Sequence, residues 1–239
     1  MADMLLNTIA AHLDDVEGLR KSTANRLRIM TATEPDEDGV MRGFGLDENH
    51  IVVRSLMESL EVLEVEEAET IKVLQKQMRS HPLGPWVKAQ KGVGEKQAAR
   101  LLAAIGDPYW IDEAEFEDDE GNIVHRPAGP RTVSQLWAYA GLHVDRDSNS
   151  AIRRKKGVQS NWKTQIKTRA YLVATSCIKQ VDSPYRKVYD ERRTRTAQTH
   201  PDWTPGHSHN DALRVVSKAI LRDMWIAARD IKELEAQER

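Results

Sequence analysis

Gly92 and Gly94 are separated by one small apolar residue and stand directly before an alanine- and leucine-rich helical pattern. Glycine lets the backbone approach a phosphate closely, and the first turn of a helix points free amides and the positive end of its dipole at an anion. The predicted chemistry is phosphate binding that ignores base sequence. The alternative is an ordinary helix start after a tight turn. The predicted contact residues are Lys91, Gly92, Val93, Gly94, Lys96 and Arg100.

Positive charge is concentrated in residues 151–199, which hold thirteen Lys and Arg against three Asp and Glu. Residues 1–150 hold sixteen against twenty-seven, so the net charge of −2 hides a strong segregation. A dense cationic block without balancing acids is typical of nucleic-acid binding, although a solvated helix face has the same composition. The predicted contact residues in this block are Arg153, Arg154, Lys155, Lys156, Lys163, Lys167 and Arg169.

One tryptophan lies within the basic block and another follows it. Trp162 and Trp203 could stack on unpaired bases. Trp162 could equally pack into the core.

Imidazoles and carboxylates are grouped near the end of the basic block, in a combination that suits zinc or manganese. No cysteine accompanies them, and Pro201, Pro205 and Gly206 indicate a loop. We therefore predict an exposed polar connector and no metal site. The grouped residues are His200, Asp202, His207, His209 and Asp211.

The elements that position these residues are predicted to be mainly α-helical. Apolar residues recur at three- and four-residue steps over 3–30 and 50–79, which indicates two long amphipathic helices that could pair within the chain or across a dimer. Seven acids within 112–120 indicate an exposed β-hairpin or loop. Further helices are predicted over 132–142, with Thr132 as the cap, and at 160–180, 184–197 and 209–235. We predict a helical dimerisation region over 1–80 and a nucleic-acid-binding domain over 81–239.

Composition narrows the class of protein further. A chain of 239 residues can bury a core without disulfides or a structural metal. No apolar run approaches twenty residues, which excludes a membrane span, and the amino terminus lacks a secretory pattern. The single cysteine, Cys177, suits a buried thiol in a reducing compartment. We predict a cytoplasmic protein.

From about residue 50 onward, the order of these features resembles the carboxy-terminal half of the insertion-sequence transposases related to the Piv DNA invertase, the bridge-RNA-guided recombinases. The resemblance rests on the coiled-coil helix, the Gly92–Gly94 hairpin, the Leu136-Trp137-Ala138-Tyr139-Ala140-Gly141-Leu142 helix and the serine-containing basic turn. The closing part from Ser183-Pro184-Tyr185 through Tyr189 and Arg192 follows the same order. The resemblance implies a helix-hairpin-helix domain that acts on DNA.

The resemblance also implies a nucleophilic serine after the Ala-Gly-Leu helix, and Ser150 occupies the matching place, with Ser148 as its neighbour. In the family this serine attacks a phosphodiester, and bases such as Arg153 and Arg154 would neutralise the phosphate. The sequence departs from the family at Ala151, where glycine is usual, and at Gln90-Lys91. A polar turn is the alternative role for Ser150.

A second part of the family's site, a metal-binding acidic tetrad on a ribonuclease-H-like domain, has no counterpart in the sequence. About fifty residues precede the coiled-coil helix, without the apolar strand runs that such a domain needs. A serine hydroxyl requires a base or a metal for activation, so a binding protein is favoured over an autonomous enzyme. No cofactor is predicted unless a partner supplies an acidic site for a divalent metal.

Three functions remain open from the sequence. The first is a homodimeric nucleic-acid-binding protein with DNA as the ligand and structured RNA as the alternative. The second is a serine transposase or recombinase subunit whose acidic metal site comes from a partner. The third is an inhibitor or regulator that acts by protein contact through the acidic residues 112–120.

Overall fold

The structure, a computed structural model, describes residues 2–117, 121–145, 150–154 and 156–238. Within these ranges the chain is mainly helical, with two small pairs of strands, which confirms the predicted fold class. The helices are α1 (Ala2–Thr31), α2 (Ile51–Ser80), α3 (Gly84–Ala89), α4 (Glu95–Ile105), α5 (Val133–Tyr139), α6 (Thr164–Ile178), α7 (Pro184–Thr199) and α8 (Pro205–Gln237). The strands are β1 (Trp110–Ile111), β2 (Ala114–Glu117), β3 (Ile123–Arg126) and β4 (Gly129–Pro130).

The chain divides into two compact units. The smaller unit spans Thr8–Lys76, and the larger combines the start of α1 up to Asn7 with the chain from Gln77 onward. No described helix has the length and apolar character needed to cross a membrane.

The smaller unit is built from α1 and α2, which pair within the chain. The loop that follows α1 folds back on its last turn, with the Leu46 amide donating to the Met30 carbonyl at 2.9 Å. His12 Nε2 lies 3.2 Å from Glu66 Oε1, so the far end of α2 has returned toward the start of α1. The two helices are therefore antiparallel.

The core of the larger unit surrounds α8. This helix contacts α5, α6 and α7, and α4 packs on α6. The apolar residues of α8 recur every three or four positions and are buried together with Leu101, Ile166 and Val173. The buried positions of α8 include Leu213, Val216, Ile220 and Met224.

The strands form two nested antiparallel pairs between α4 and α5. β1 pairs with β4, and β2 pairs with β3. Strands β2 and β3 therefore form the two sides of the predicted acidic hairpin. Asp118, Asp119 and Glu120 lie outside the described residues.

Helix α6 is the element that links the two predicted contact regions. Lys163, just before α6, donates to the Ala104 carbonyl near the end of α4 at 2.8 Å. The turn before α4 lies at the other end of α6, where a Cβ on Gly92 would come within 2.7 Å of Cys177 Cα. Helices α4 and α6 are thus antiparallel.

Candidate nucleic-acid interface

A cleft of about 860 Å³ lies between the segment around Ser150, helix α6, and the adjoining ends of α7 and α8. Four cationic side chains line it, and Asp211 is the carboxylate that lines it with them. We call this the cationic cleft, and its charged residues are Arg153, Lys167, Arg192, Asp211 and Arg214.

Asp211 fixes two of these cations. It accepts hydrogen bonds from Arg192 Nε at 2.5 Å and from Arg214 Nη2 at 3.1 Å. Its side chain is 9% exposed. Burial alone would raise the pKa of the Asp211 carboxyl, but the hydrogen bonds from Arg192 and Arg214 outweigh burial, and the pKa falls below its usual value. The result is one carboxylate that orients two guanidinium groups along one wall.

Lys167 joins the basic segment to α6. Its Nζ donates to the Ile152 carbonyl at 2.9 Å. Burial lowers the pKa of Lys167, and the charges of Arg214 and Arg153 lower it further. Because these cations destabilise one another, a bound anion would relieve the repulsion.

Three aromatic rings stack at one end of the cationic cleft. His200 and His207 lie parallel to Trp203, each with an interplanar angle of 6°, at centroid distances of 4.3 and 4.0 Å. The turn between α7 and α8 sets this arrangement, because the Trp203 amide donates to the His200 carbonyl and Thr204 accepts from the His207 amide. We call these residues the His–Trp–His stack.

The helix predicted from residue 209 begins four residues earlier in the structure, which shortens the loop predicted for the histidine and aspartate cluster. Pro205 begins α8, with Thr204 as its cap, so His207, His209 and Asp211 lie on a helix. Proline suits the first helical position because its fixed φ is already helical and no amide is needed there. Among the described residues, no three His, Cys, Asp or Glu side chains are grouped so that they could hold a metal ion. His209 instead lies 2.7 Å from the Tyr189 hydroxyl.

The Gly92–Gly94 turn lies at the surface, between α3 and α4. Gly92 has a φ of +91°, whereas Gly94 has a φ of −76° and precedes α4 without any side-chain cap. Lys91 is exposed and forms an ion pair with Asp182. Gly94 is exposed, and Lys96, in the first turn of α4, is half-buried.

Two predicted contact residues of this turn are buried. The Val93 side chain belongs to the core, and Arg100 is 6% exposed. The backbone at Gly94 and the Lys91 side chain are therefore exposed to solvent, whereas the Arg100 side chain on α4 is buried.

The other predicted cations are distributed around the cleft. Arg153, Arg154 and Lys156 are exposed, and Arg169 is half-buried on α6. Lys163 is engaged with Ala104. Lys155 lies outside the described residues.

Ser150 lines two adjoining hollows. One is the cationic cleft, and the other has a volume of about 690 Å³ and is lined by Asp145, Val158, Gln159 and Trp162. The Ser150 carbonyl accepts from the Asp145 amide at 2.8 Å, and Val144 bridges to Ala151. Ser150 is thus held next to Asp145, and Arg153 lines the same two hollows. Its neighbour Ser148 lies outside the described residues.

Trp162 packs against the chain. A Cβ on Gly141, which has a φ of +66°, would lie 2.2 Å from Trp162 Cδ1. Lys167 lies over the same ring at 5.7 Å from its centroid. Of the two roles open to Trp162 from the sequence, the structure favours packing.

Sequence reasoning missed Arg192, Arg214 and Tyr171 as lining residues of the cationic cleft. These residues lie on three different helices and are brought to Ser150 by the packing of the larger unit. The one local signal was the three-residue spacing of Asp211 and Arg214 on a helix, which permits an ion pair.

No family model matches the chain. Over 180 residues, or 75% of its length, the chain is 25% identical to the "Insertion element IS110 uncharacterized 43.6 kDa protein" of Streptomyces coelicolor. The chain spans 37% of the length of that protein. The chain is therefore similar to a protein of an insertion element.

Proposed function

We propose that the chain is a transposase-related protein that binds nucleic acid through its phosphate backbone. The observation that carries this proposal is the convergence of Arg153, Lys167, Arg192 and Arg214 in one cleft. The similarity to an insertion-element protein supports the transposase-related part.

The cleft has the electrostatics that a phosphate chain requires. One buried carboxylate orients two of the arginines, so their side chains lose little further freedom when an anion binds. Exposed Arg154 and Lys156 continue the positive surface along the chain from Arg153. Contacts to phosphate position a ligand without reading its bases, so broad sequence tolerance is expected.

The Gly92–Gly94 turn is a second proposed contact. Cys177, beside Gly92, follows Lys167 by ten residues on α6, which corresponds to about 15 Å of helix. One nucleic-acid strand rises about 3.4 Å per phosphate along a duplex. A strand of a few nucleotides is therefore long enough to reach both contacts.

The proposal is tested by the salt dependence of binding to duplex DNA. With about six neutralised phosphates, the logarithm of affinity falls against the logarithm of salt with a slope of about −5. Replacing Arg153 and Lys156 with Gln reduces the magnitude of that slope by about 2. The matched control replaces the exposed residues Arg26 and Lys72 of the smaller unit and leaves the slope unchanged. A flat salt response of the unmodified protein would contradict the proposal.

A second candidate function is that of a serine transposase or recombinase subunit. It is favoured by the position of Ser150, which lines both hollows next to Arg153. The Ser150 oxygen would bond to phosphorus as its proton passes to solvent, and the P–O bond to an oxygen of the nucleic-acid chain would break. The leaving oxygen would take the bonding electron pair and be protonated from solvent, while Arg153 would stabilise the charge on the phosphate.

This candidate predicts a covalent protein–DNA adduct in the presence of divalent metal and a partner with an acidic site. Ser150→Ala abolishes the adduct, whereas Ser160→Ala, altered in the same segment, retains it. An adduct that persists in Ser150→Ala would assign the nucleophile elsewhere.

A further inference from the structure

We infer that the cationic cleft takes an unpaired nucleotide, whose base continues the His–Trp–His stack while its phosphate lies among the arginines. This inference rests on the proposed function and specifies which form of nucleic acid the cleft accepts. Its basis is a preformed aromatic platform and a group of cations that line the same cleft.

The platform offers ring surface to a ligand. His200 and His207 are exposed, Trp203 is half-buried, and all three line the cleft. Nucleobases stack on aromatic side chains with little dependence on base identity, because every base has a π-face. Three parallel rings therefore form a surface on which a further flat ring can be added.

The turn that carries the platform is held by hydrogen bonds within the chain. Pro201 and Pro205 lie within and after the turn, Thr204 caps α8, and the Trp203 amide donates to the His200 carbonyl. Fixing these rings in advance reduces the conformational entropy that binding would otherwise remove.

The charges at the cleft complete a nucleotide-binding arrangement. Arg192, on α7, and Arg214, on α8, are held by Asp211, and Arg153 approaches from the facing segment. A nucleotide carries one flat base and one anionic phosphate, and the cleft provides a partner for each. In a duplex the faces of the bases are covered by their neighbours, so only an unpaired or extruded nucleotide can use both partners.

The size of the cleft agrees with this assignment. Its volume of about 860 Å³ lies within the 300–1,000 Å³ range of small-molecule sites. It can therefore enclose a flat base together with its sugar and phosphate.

The test measures binding of the full chain to three probes of equal length at one salt concentration. The probes are a single-stranded oligothymidine, the same backbone without bases, and a duplex. The altered chain carries His200→Ala and His207→Ala. His125→Ala, at an exposed histidine on β3, is the matched control.

We expect the double variant to bind the single strand about tenfold more weakly and to bind the other two probes as before. His207→Phe, which keeps an aromatic ring, retains most of the affinity for the single strand. Unchanged binding of the duplex and of the abasic strand also verifies that the variant is folded. Two single-stranded probes of equal length, oligodeoxyuridine and oligouridine, then distinguish DNA from RNA as the source of the nucleotide.

Two results would overturn the inference while leaving the proposed function intact. One is an equal loss of affinity for the base-bearing and abasic strands, and the other is full binding of the single strand by the double variant. If the unmodified chain binds none of the probes, the proposed function itself is wrong.

Discussion

Gly92 and Gly94 look equivalent in the sequence, yet they differ in backbone conformation and in packing. Gly92 adopts a φ of +91° and lies so close to α6 that a Cβ would come within 2.7 Å of Cys177 Cα. Gly94 has an ordinary backbone conformation, and a Cβ there would meet nothing within 4 Å. Gly92 is therefore needed for packing, and Gly94 is the position at which phosphate binding can be tested separately from folding.

Replacing Gly94 with Asp or Asn separates capping from binding. Both residues cap helix α4, so both stabilise the fold by about 0.5 kcal/mol. The Asp charge lies where a phosphate would approach, so Gly94→Asp lowers the affinity for DNA about fivefold and Gly94→Asn does not. Thermal unfolding and equilibrium binding measure the two effects. Equal affinities of the two variants would mean that the amides of α4 do not contact phosphate.

The equivalent change at Gly92 acts on folding. Gly92→Ala places a side chain in left-handed backbone and against Cys177, so it costs about 2 kcal/mol or more. It therefore serves as the folding-defective comparison in the same unfolding experiment.

Asp211 makes stability depend on pH. Because its pKa is lowered in the folded state, the carboxylate stabilises the protein above the ordinary pKa of 3.8, and this contribution is lost as pH falls through the lowered folded value. Asp211→Asn lowers the free energy of unfolding by about 2 kcal/mol at pH 7 and weakens the acid dependence. Urea unfolding over a pH series from pH 7 down to about pH 2 measures both, because the loss falls at and below the ordinary pKa.

A matched control is available on α7. Asp190 forms an ion pair with Arg186 four residues away, with more than half of its side chain exposed. Asp190→Asn changes stability by less than about 0.5 kcal/mol. If Asp211→Asn changed stability no more than Asp190→Asn, the carboxylate would not anchor Arg192 and Arg214.

At the scale of elements, local sequence signals predicted most helices well. The helices predicted over 50–79, 160–180 and 184–197 match α2, α6 and α7 to within a few residues, and Thr132 was correctly identified as the cap of α5. The start of α8 was misplaced, because Pro205 and Gly206 were interpreted as loop residues. The sequence also left open whether α1 and α2 pair within the chain, since an amphipathic face does not identify what covers it.

The cap of α5 is the element whose stability can be predicted most directly. Thr132 accepts from the Gln135 amide, and the Gln135 side chain accepts from the Thr132 amide. Thr132→Ala removes half of this reciprocal pair and costs about 1 kcal/mol. Thr168→Ala, at an exposed position on α6, changes stability little because alanine favours helix. Chemical unfolding of the two variants compares them, and equal stabilities would contradict the role of the cap.

At the scale of the whole molecule, charge segregation identified the basic segment but not the cleft that it helps to form. Arg153 could be predicted as a contact because its neighbours in the chain are cationic. Arg192 and Arg214 could not be placed beside it, because their proximity depends on how α7 and α8 pack with α6. The burial of Arg100 was equally invisible, because helical periodicity alone does not identify the covered face of α4.

Helix α2 exposes apolar side chains through which two copies of the chain can associate. Val62, Val65 and Val73 are exposed on α2 at spacings that place them on one helical face. Val53 and Leu74 are buried in the same helix, so α2 carries a second apolar stripe beyond the one that packs inside the chain. Two copies of such a stripe can cover each other around a twofold axis. We therefore expect a dimer with twice the 27.1 kDa mass of the chain.

A double variant with Val62→Lys and Val65→Lys places charge on this stripe and should be a monomer. Light scattering should then give a mass of 27.1 kDa. Val181→Lys, at an 86% exposed position of the larger unit, is the control and should keep the dimer mass. A dimer presents two cationic cleft sites to one nucleic-acid strand, so the monomeric variant should lose affinity for long strands and keep it for short ones. An unmodified protein that is monomeric at high concentration would contradict the assembly without affecting the single-cleft contacts. Comparing long and short probes therefore separates the contribution of each cleft from that of the pair.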